Sequence, residues 1–160
     1  MSEPGGITVR RVETRDVEAV VALVTSVLGE FGLTFGAGCA TDDELHRLPG
    51  SYEADGGAFW IAERDGALLG SVGMARTGPD RFELRKMYLL PAARGHGLGQ
   101  RLLDVALDFA QRAGARLVTL DTTDEMKGAI HLYEKNGFVR DDRCITVGRC
   151  TRGYRKELRP

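Results

Sequence analysis

The chain has no apolar run of the ~18 residues that a membrane-spanning helix requires. Its first residues, MSEPGGITVRR, contain no apolar stretch like that of a secretory leader. The expected setting is therefore cytoplasmic, with no membrane partner. An excess of one charge is missing too: 22 Lys and Arg stand against 23 Asp and Glu, a net charge of −1. Binding to a phosphate backbone draws on surplus Lys and Arg, so no nucleic-acid partner is expected. Histidine is scarce, with His46, His96 and His131 far apart in sequence, which argues against a metal site. Cys39, Cys144 and Cys150 are odd in number, widely spaced and form no Cys-x-x-Cys. Neither a disulfide framework nor a zinc ribbon is expected, and free thiols in a reducing compartment are the simpler reading.

What is present suits a single globular domain over residues 1–160, with 42% hydrophobic and 28% charged residues. After a polar tail ending at Gly5 and Gly6, ITVRRV (7–12) alternates apolar and charged residues, as a half-buried strand does. Val17, Val20, Val21, Val24 and Leu28 repeat at helical spacing, with Thr14 as the expected N-cap and an end near Gly29. The Gly- and aromatic-rich stretch 29–40 predicts a mobile loop. Residues 42–48 predict a short helix capped by Thr41 and stopped by Pro49, with SYEADGG as a further loop. AFWIAER and ALLGSVGMAR flank Asp65-Gly66, the signature of a hairpin with a two-residue type I′ turn. FELRKMYLL (82–90) follows the turn TGPD, so 58–90 reads as an antiparallel meander ended by Pro91. A helix from about Gly97 to Gly114, a strand at 115–122, a helix at 124–136 with Gly137 as its C-cap, and strands at FVR and 152–158 complete the pattern. The fold class is a mixed α/β sheet: an antiparallel meander followed by β-α-β-α-β.

RGHGLGQRLL, beginning at Arg94, places Gly95, Gly97 and Gly99 between a strand and a helix. Glycines let the backbone approach an anion, and the amides and dipole at a helix N-terminus attract it. A nucleotide P-loop requires Gly-Lys-Ser/Thr, but here Gln100 and Arg101 follow Gly99. A dinucleotide loop requires Gly-x-Gly-x-x-Gly after a parallel strand, and this spacing is tighter and follows a meander. The plain alternative is a turn that only redirects the chain, an entropically costly use of three glycines.

The stretch Leu89-Leu90-Pro91-Ala92-Ala93-Arg94-Gly95-His96-Gly97-Leu98-Gly99 resembles the acetyl-CoA motif of the GNAT N-acetyltransferase superfamily, Arg/Gln-x-x-Gly-x-Gly/Ala. About 40 residues on, Ala129-Ile130-His131-Leu132-Tyr133-Glu134-Lys135-Asn136-Gly137-Phe138 is similar to its second motif, a helix ending in Tyr-Glu-Lys-x-Gly-Phe. The resemblance implies a GNAT-like acyltransferase fold in which 117–121 splays from the preceding parallel strand. It implies acetyl-CoA as donor. Backbone amides from Arg94, Gly95, His96, Gly97, Leu98 and Gly99 through Gln100 would hold the pyrophosphate. Met87, Tyr88 and Leu89 would face the pantetheine and the acetyl carbonyl. Where the family often carries a pantetheine-binding Asn, this chain has Met126.

Acyl transfer to an amine needs a group that takes a proton from the ammonium and one that protonates or stabilises the departing thiolate. The motif places Tyr133 near the sulfur, and a phenol with an ordinary pKa near 10 can donate at neutral pH. Some family members carry a catalytic Glu at the strand position of Glu83, six residues before Leu89. Strand alternation would put Glu83 on one face with Arg85, Met87 and Leu89. The plainer reading pairs Glu83 with Arg85 or Lys86 and lets a water chain take the proton. The acceptor would lie against Phe31, Phe35, Trp60, Asp121 and Tyr154. It is a small-molecule or peptide amine, and Asp42, Asp43, Glu44, Glu53 and Asp55 outline a local acidic patch. Two alternatives are a non-catalytic acyl-CoA-binding module and an acyltransferase for longer acyl groups. A homodimer through residues 144–158 is a further expectation.

Overall fold

The structure, a computed structural model, describes residues 6–36 and 39–159. The polar tail through Gly5 lies outside the described residues, as do Ala37 and Gly38 of the Gly-rich loop and Pro160.

The Asp65-Gly66 hairpin forms as its chemistry dictates. Both turn residues have positive φ, 51° and 83°, and join β2 (Ala58–Arg64) to β3 (Ala67–Arg76). β4 (Arg81–Leu89) continues the antiparallel meander, and β1 (Thr8–Arg11) extends it on the other side by pairing with β2. β4 then pairs in parallel with β5 (Leu117–Thr122), and β7 (Arg152–Glu157) runs antiparallel between β5 and the short β6 (Val139–Arg140). Among the described residues the sheet has seven strands, in the order β1-β2-β3-β4-β5-β7-β6.

Each face of the sheet carries its own core. Along β2, Phe59 and Ile61 face α1 (Val17–Glu30), packing with Val20, Val24 and Leu28. Ala58, Trp60 and Ala62 face the other way, toward Leu102, Leu103 and Ala106 of α4 (Leu98–Arg112) and Tyr133 of α5 (Lys127–Lys135). Fully burying one such Leu or Phe contributes about 1.5–3 kcal/mol. β2 can therefore be apolar almost throughout because both its faces are covered.

Four local expectations are corrected. Thr14 does not cap α1: it opens a 3₁₀ turn, Thr14–Asp16, in which the Glu13 amide donates to Asp16 Oδ2 at 2.8 Å. Asp16 is held there by two hydrogen bonds from Arg10, both 2.9 Å, which also binds Glu63 of β2, so strand β1 dictates the helix entry. Thr41 lies inside α2 (Ala40–Asp43), which Cys39 precedes and which runs into a 3₁₀ turn at Glu44–Arg47. Part of SYEADGG is helical, as α3 (Gly50–Glu53), with Tyr52 inserted into the α1-side core. α5 starts at Lys127 rather than Asp124, because Arg152 holds the Asp124 side chain and Thr151 Oγ1 accepts from its amide at 2.9 Å.

Candidate active site

A single extra residue in β4 shapes the site. Ser71 pairs with Tyr88 but Gly73 pairs with Arg85, so β4 bulges by one residue between them. Lys86 takes the strain, with φ 54°, and its carbonyl accepts from Ser71 Oγ at 2.7 Å. The bulge breaks the alternation. Phe82, Leu84, Met87 and Leu89 all pack with the α4-side core, while Tyr88 packs with the α1-side core. The single face expected for Glu83, Arg85, Met87 and Leu89 is therefore split. Parallel pairing with β5 ends at Glu83–Thr119. Beyond that point the strands diverge, and two cavities open beside the gap.

The outer cavity, about 360 Å³, is bounded by the end of β4, the glycine loop and α5. The loop turns through a 3₁₀ segment at Pro91–Ala93, then Gly95 and Gly97, each with φ 81°, deliver the chain into α4. Nothing lies within 4 Å of a Cβ built on either glycine, so their φ rather than crowding demands glycine. Among the described residues, the amides of Gly95, His96, Gly97, Leu98, Gly99 and Gln100 donate to no protein acceptor. They form a run of free N–H groups at the positive end of a 15-residue helix. Gln100 and Asn136 exchange side-chain amide hydrogen bonds of 2.8 and 2.9 Å, which fixes the start of α4 against the end of α5. Arg94 lines the same cavity as the amides. It donates to the Leu89 carbonyl at 2.8 Å and to both carboxylate oxygens of Glu30 at 3.0 and 2.9 Å, with Phe31 5.9 Å from its guanidinium carbon. His96 is exposed.

The inner cavity, about 50 Å³, lies where β4 and β5 part and is lined by Glu83, Arg85, Lys86, Tyr88, Asp121, Thr123, Met126, Tyr133, Arg149 and Cys150, among others. Met87, Tyr88 and Met126 line both cavities. Tyr133 is 5% exposed and its hydroxyl makes no hydrogen bond among the described residues; burial raises it above the ordinary phenol range. Tyr88 is raised by burial as well. Glu83 is 5% exposed and accepts from Arg85 Nε at 2.7 Å, and Arg85 also reaches Glu44 at 3.3 Å. Burial, then the Asp121 carboxylate, pushes the Cys150 thiol up to about 12, so it is un-ionised at neutral pH.

Behind the cavity wall lies Asp42, fully buried. Arg149 grips it with two hydrogen bonds of 2.7 and 2.8 Å, Lys86 Nζ donates to it, and the Gly36 amide adds a 2.9 Å bond. Burial opposes its charge, but the Arg149, Lys86 and Gly36 hydrogen bonds outweigh burial and hold the carboxyl well below its ordinary range. The local acidic patch is thereby corrected: Asp43 pairs with Arg47, Glu44 with Arg85 and Glu53 with Arg11.

The other expected acceptor residues are scattered. Phe31 lines the outer cavity, and Phe35 stands edge-on to His46 at 5.8 Å. Trp60 is a core residue, 5.3 Å from the Phe109 ring and outside both cavities. Tyr154 is fully buried beside Tyr133, its hydroxyl donating to Glu134 at 2.9 Å. Asp121 does line the inner cavity, while its Oδ2 accepts from the amides of Thr146 and Val147 at 2.6 and 2.8 Å. Thr123, Arg149 and Cys150 escaped the sequence reading. They lie in irregular segments where no periodicity marks an inward face.

Residues 27–138 match the family model described as Acetyltransferase (GNAT) family. The chain is 38% identical over 143 residues to an uncharacterized N-acetyltransferase of Escherichia coli (strain K12), covering 87% of this chain and 86% of that protein. In fold it is similar to a GNAT-family acetyltransferase from Staphylococcus aureus Mu50, with a TM-score of 0.89, 22% identity and coverage of 96% and 100% of the two chains. It is also similar to a putative acetyltransferase from Salmonella typhimurium solved with acetyl-CoA, with a TM-score of 0.74, 20% identity and coverage of 96% and 94%.

Proposed function

The chain belongs to the acetyltransferase (GNAT) family, and on that premise we propose that its 160 residues work as one domain that moves an acetyl group from acetyl-CoA, bound along the outer cavity, to a primary amine in the inner one. The observation that carries this reading is the run of unpaired amides from Gly95 to Gln100, which opens onto a cavity bordered by the Tyr133 helix. A pyrophosphate fits such a run: its oxygens accept hydrogen bonds and its charge suits the helix terminus. Met87, Leu89, Ala129 and Leu132 give the rest of the cavity an apolar wall suited to a pantetheine arm.

Bound acetyl-CoA supplies an activated thioester. The chain's own groups move the protons. The acceptor ammonium gives a proton to Glu83, directly or through water, and its nitrogen then bonds to the acetyl carbon. The carbon–sulfur bond breaks, its electron pair stays on sulfur, and the Tyr133 hydroxyl protonates the thiolate; the second proton of the acylated nitrogen then passes through water to the Tyr133 phenolate, and Glu83 returns its proton to solvent. Tyr133 suits that role because burial keeps it protonated and no neighbour among the described residues claims its hydroxyl. The test is calorimetric titration with acetyl-CoA and with CoA, followed by thiol release over a panel of amines. Binding and turnover together are expected. Binding without turnover would make the chain an acyl-CoA-binding module, and better turnover with propionyl- or succinyl-CoA would reassign the donor.

A further inference from the structure

We propose that the acceptor is a small zwitterionic amine, with one primary ammonium and one oxyanion, and that Lys86 and Arg149 hold the oxyanion. The proposal rests on the assignment of the inner cavity as the acceptor site. That cavity divides its charge: Arg85, Lys86 and Arg149 line it as cations, Glu83 and Asp121 as carboxylates.

The hydrogen-bond inventory gives the division a direction. Asp42 is saturated, with Lys86 and Arg149 Nη2 on Oδ1 and the Gly36 amide and Arg149 Nη1 on Oδ2. An ammonium has three donors and a guanidinium five. Among the described residues, Lys86 donates only to Asp42, and Arg149 makes only its two bonds there. One carboxylate thus faces two cations that border the cavity and retain unused N–H groups. Thr123 Oγ1 adds a polar atom at the cavity with no partner, on a residue 3% exposed. At the Glu83 side the balance reverses: Oε1 takes Arg85 Nε, and Oε2 accepts nothing among the described residues. An ammonium is satisfied beside Glu83 and an oxyanion beside Lys86 and Arg149.

Charge weighs against the main competitor. The Arg149–Asp42 bridge ties the 145–151 segment to α2 behind the cavity wall. A polyamine would bring its second cation against Lys86 and Arg149, whose shared carboxylate Asp42 is already saturated, with Asp121, among the described residues, the one lining carboxylate besides Glu83 left to offset it, and like charges at close range discriminate strongly.

The experiment measures kcat/KM by thiol release for amino acids, the matching amino-acid amides, a matching aminophosphonate and spermidine. Comparison is at equal free-amine concentration, in the wild type, Arg149→Gln and Arg149→Lys. The proposal expects at least a tenfold preference for acid over amide; the aminophosphonate arm tells carboxylate from phosphonate. Losing a charged hydrogen-bond partner corresponds to about a ten- to hundredfold effect. Arg149→Gln should raise the acceptor KM by that factor and collapse the acid-to-amide ratio, with the KM for acetyl-CoA unchanged and partial recovery in Arg149→Lys. Equal or better turnover of amides or spermidine overturns the proposal. So does an Arg149→Gln effect equal on acid and amide, or failure of every amine while calorimetry still shows acetyl-CoA binding. Absence of acetyl-CoA binding in the wild type would instead remove the donor-site assignment and this proposal with it.

Discussion

Replacing Tyr133 by Phe removes one oxygen from the centre of the proposed chemistry and little else. The ring stays in place, 5.8 Å from Phe138 and 6.4 Å from Tyr154, inside the α4-side core. The hydroxyl has no hydrogen-bond partner among the described residues, so no buried acceptor is orphaned by its loss, and stability should change by less than about 1 kcal/mol. The catalytic cost is larger. A positioned general acid contributes about 10²- to 10⁴-fold. At about 1.4 kcal/mol per tenfold, that is about 3–5 kcal/mol of barrier. Steady-state thiol release should therefore show kcat lower by at least a hundredfold. Calorimetry should show the Kd for acetyl-CoA within about threefold of wild type, and the melting temperature should hold. An unchanged kcat would refute the assignment of Tyr133 as the acid. So would a loss of activity matched by a loss of thermal stability, which would make the residue a core tyrosine only.

Three further outcomes follow from the same geometry. Gly97→Ala meets no atom within 4 Å but must leave φ 81° or bear about 1–2 kcal/mol of strain, so acetyl-CoA affinity should fall at least tenfold by calorimetry with helicity retained. Asp42→Asn leaves Lys86 and Arg149 facing a neutral amide and should cost about 3–5 kcal/mol in urea unfolding. Because the folded carboxyl is depressed, that difference should be full above the unfolded value of about 3.9 and shrink as pH falls through the lower folded value; a difference independent of pH from 7 to 3 would contradict the burial of a charged Asp42. Glu83→Gln should abolish the acidic limb of the pH–rate profile if Glu83 takes the amine proton, and an unchanged limb would assign that step to water.

Local chemistry was legible in the sequence, and tertiary register was not. Asp65-Gly66 announces its turn because two consecutive positive φ values suit few other pairs. The glycine loop and the Tyr133 helix were readable for a similar reason: each encodes a backbone need or a short-range pattern. The bulge at Lys86 was not readable. RFELR alternates and the following KMYL does not, but only the pairing with β3 shows that one residue is extra and that Met87 parts from Glu83. The Asp42–Arg149 bridge spans 107 positions, from the one-turn helix α2 to an irregular segment, and leaves no periodic trace. Thr14 lost its cap role to Glu13 and Asp16 because Arg10, a strand residue, fixes Asp16 from outside the helix. The expected aromatic acceptor wall dispersed because aromatics in a small two-faced core serve packing: Trp60 meets Phe109, and Tyr154 meets Tyr133.

In the proposed function, the amides at the head of α4 hold acetyl-CoA so that its acetyl group reaches an amine beside Tyr133. Incubating the protein with acetyl-CoA and the amine panel, then quantifying both free thiol and N-acetylated product by mass spectrometry, tests it most directly. One thiol is expected for each N-acetylated amine in the wild type, with at least a hundredfold slower turnover in Tyr133→Phe. Thiol released without N-acetylated product, or equal rates in the two proteins, would contradict it.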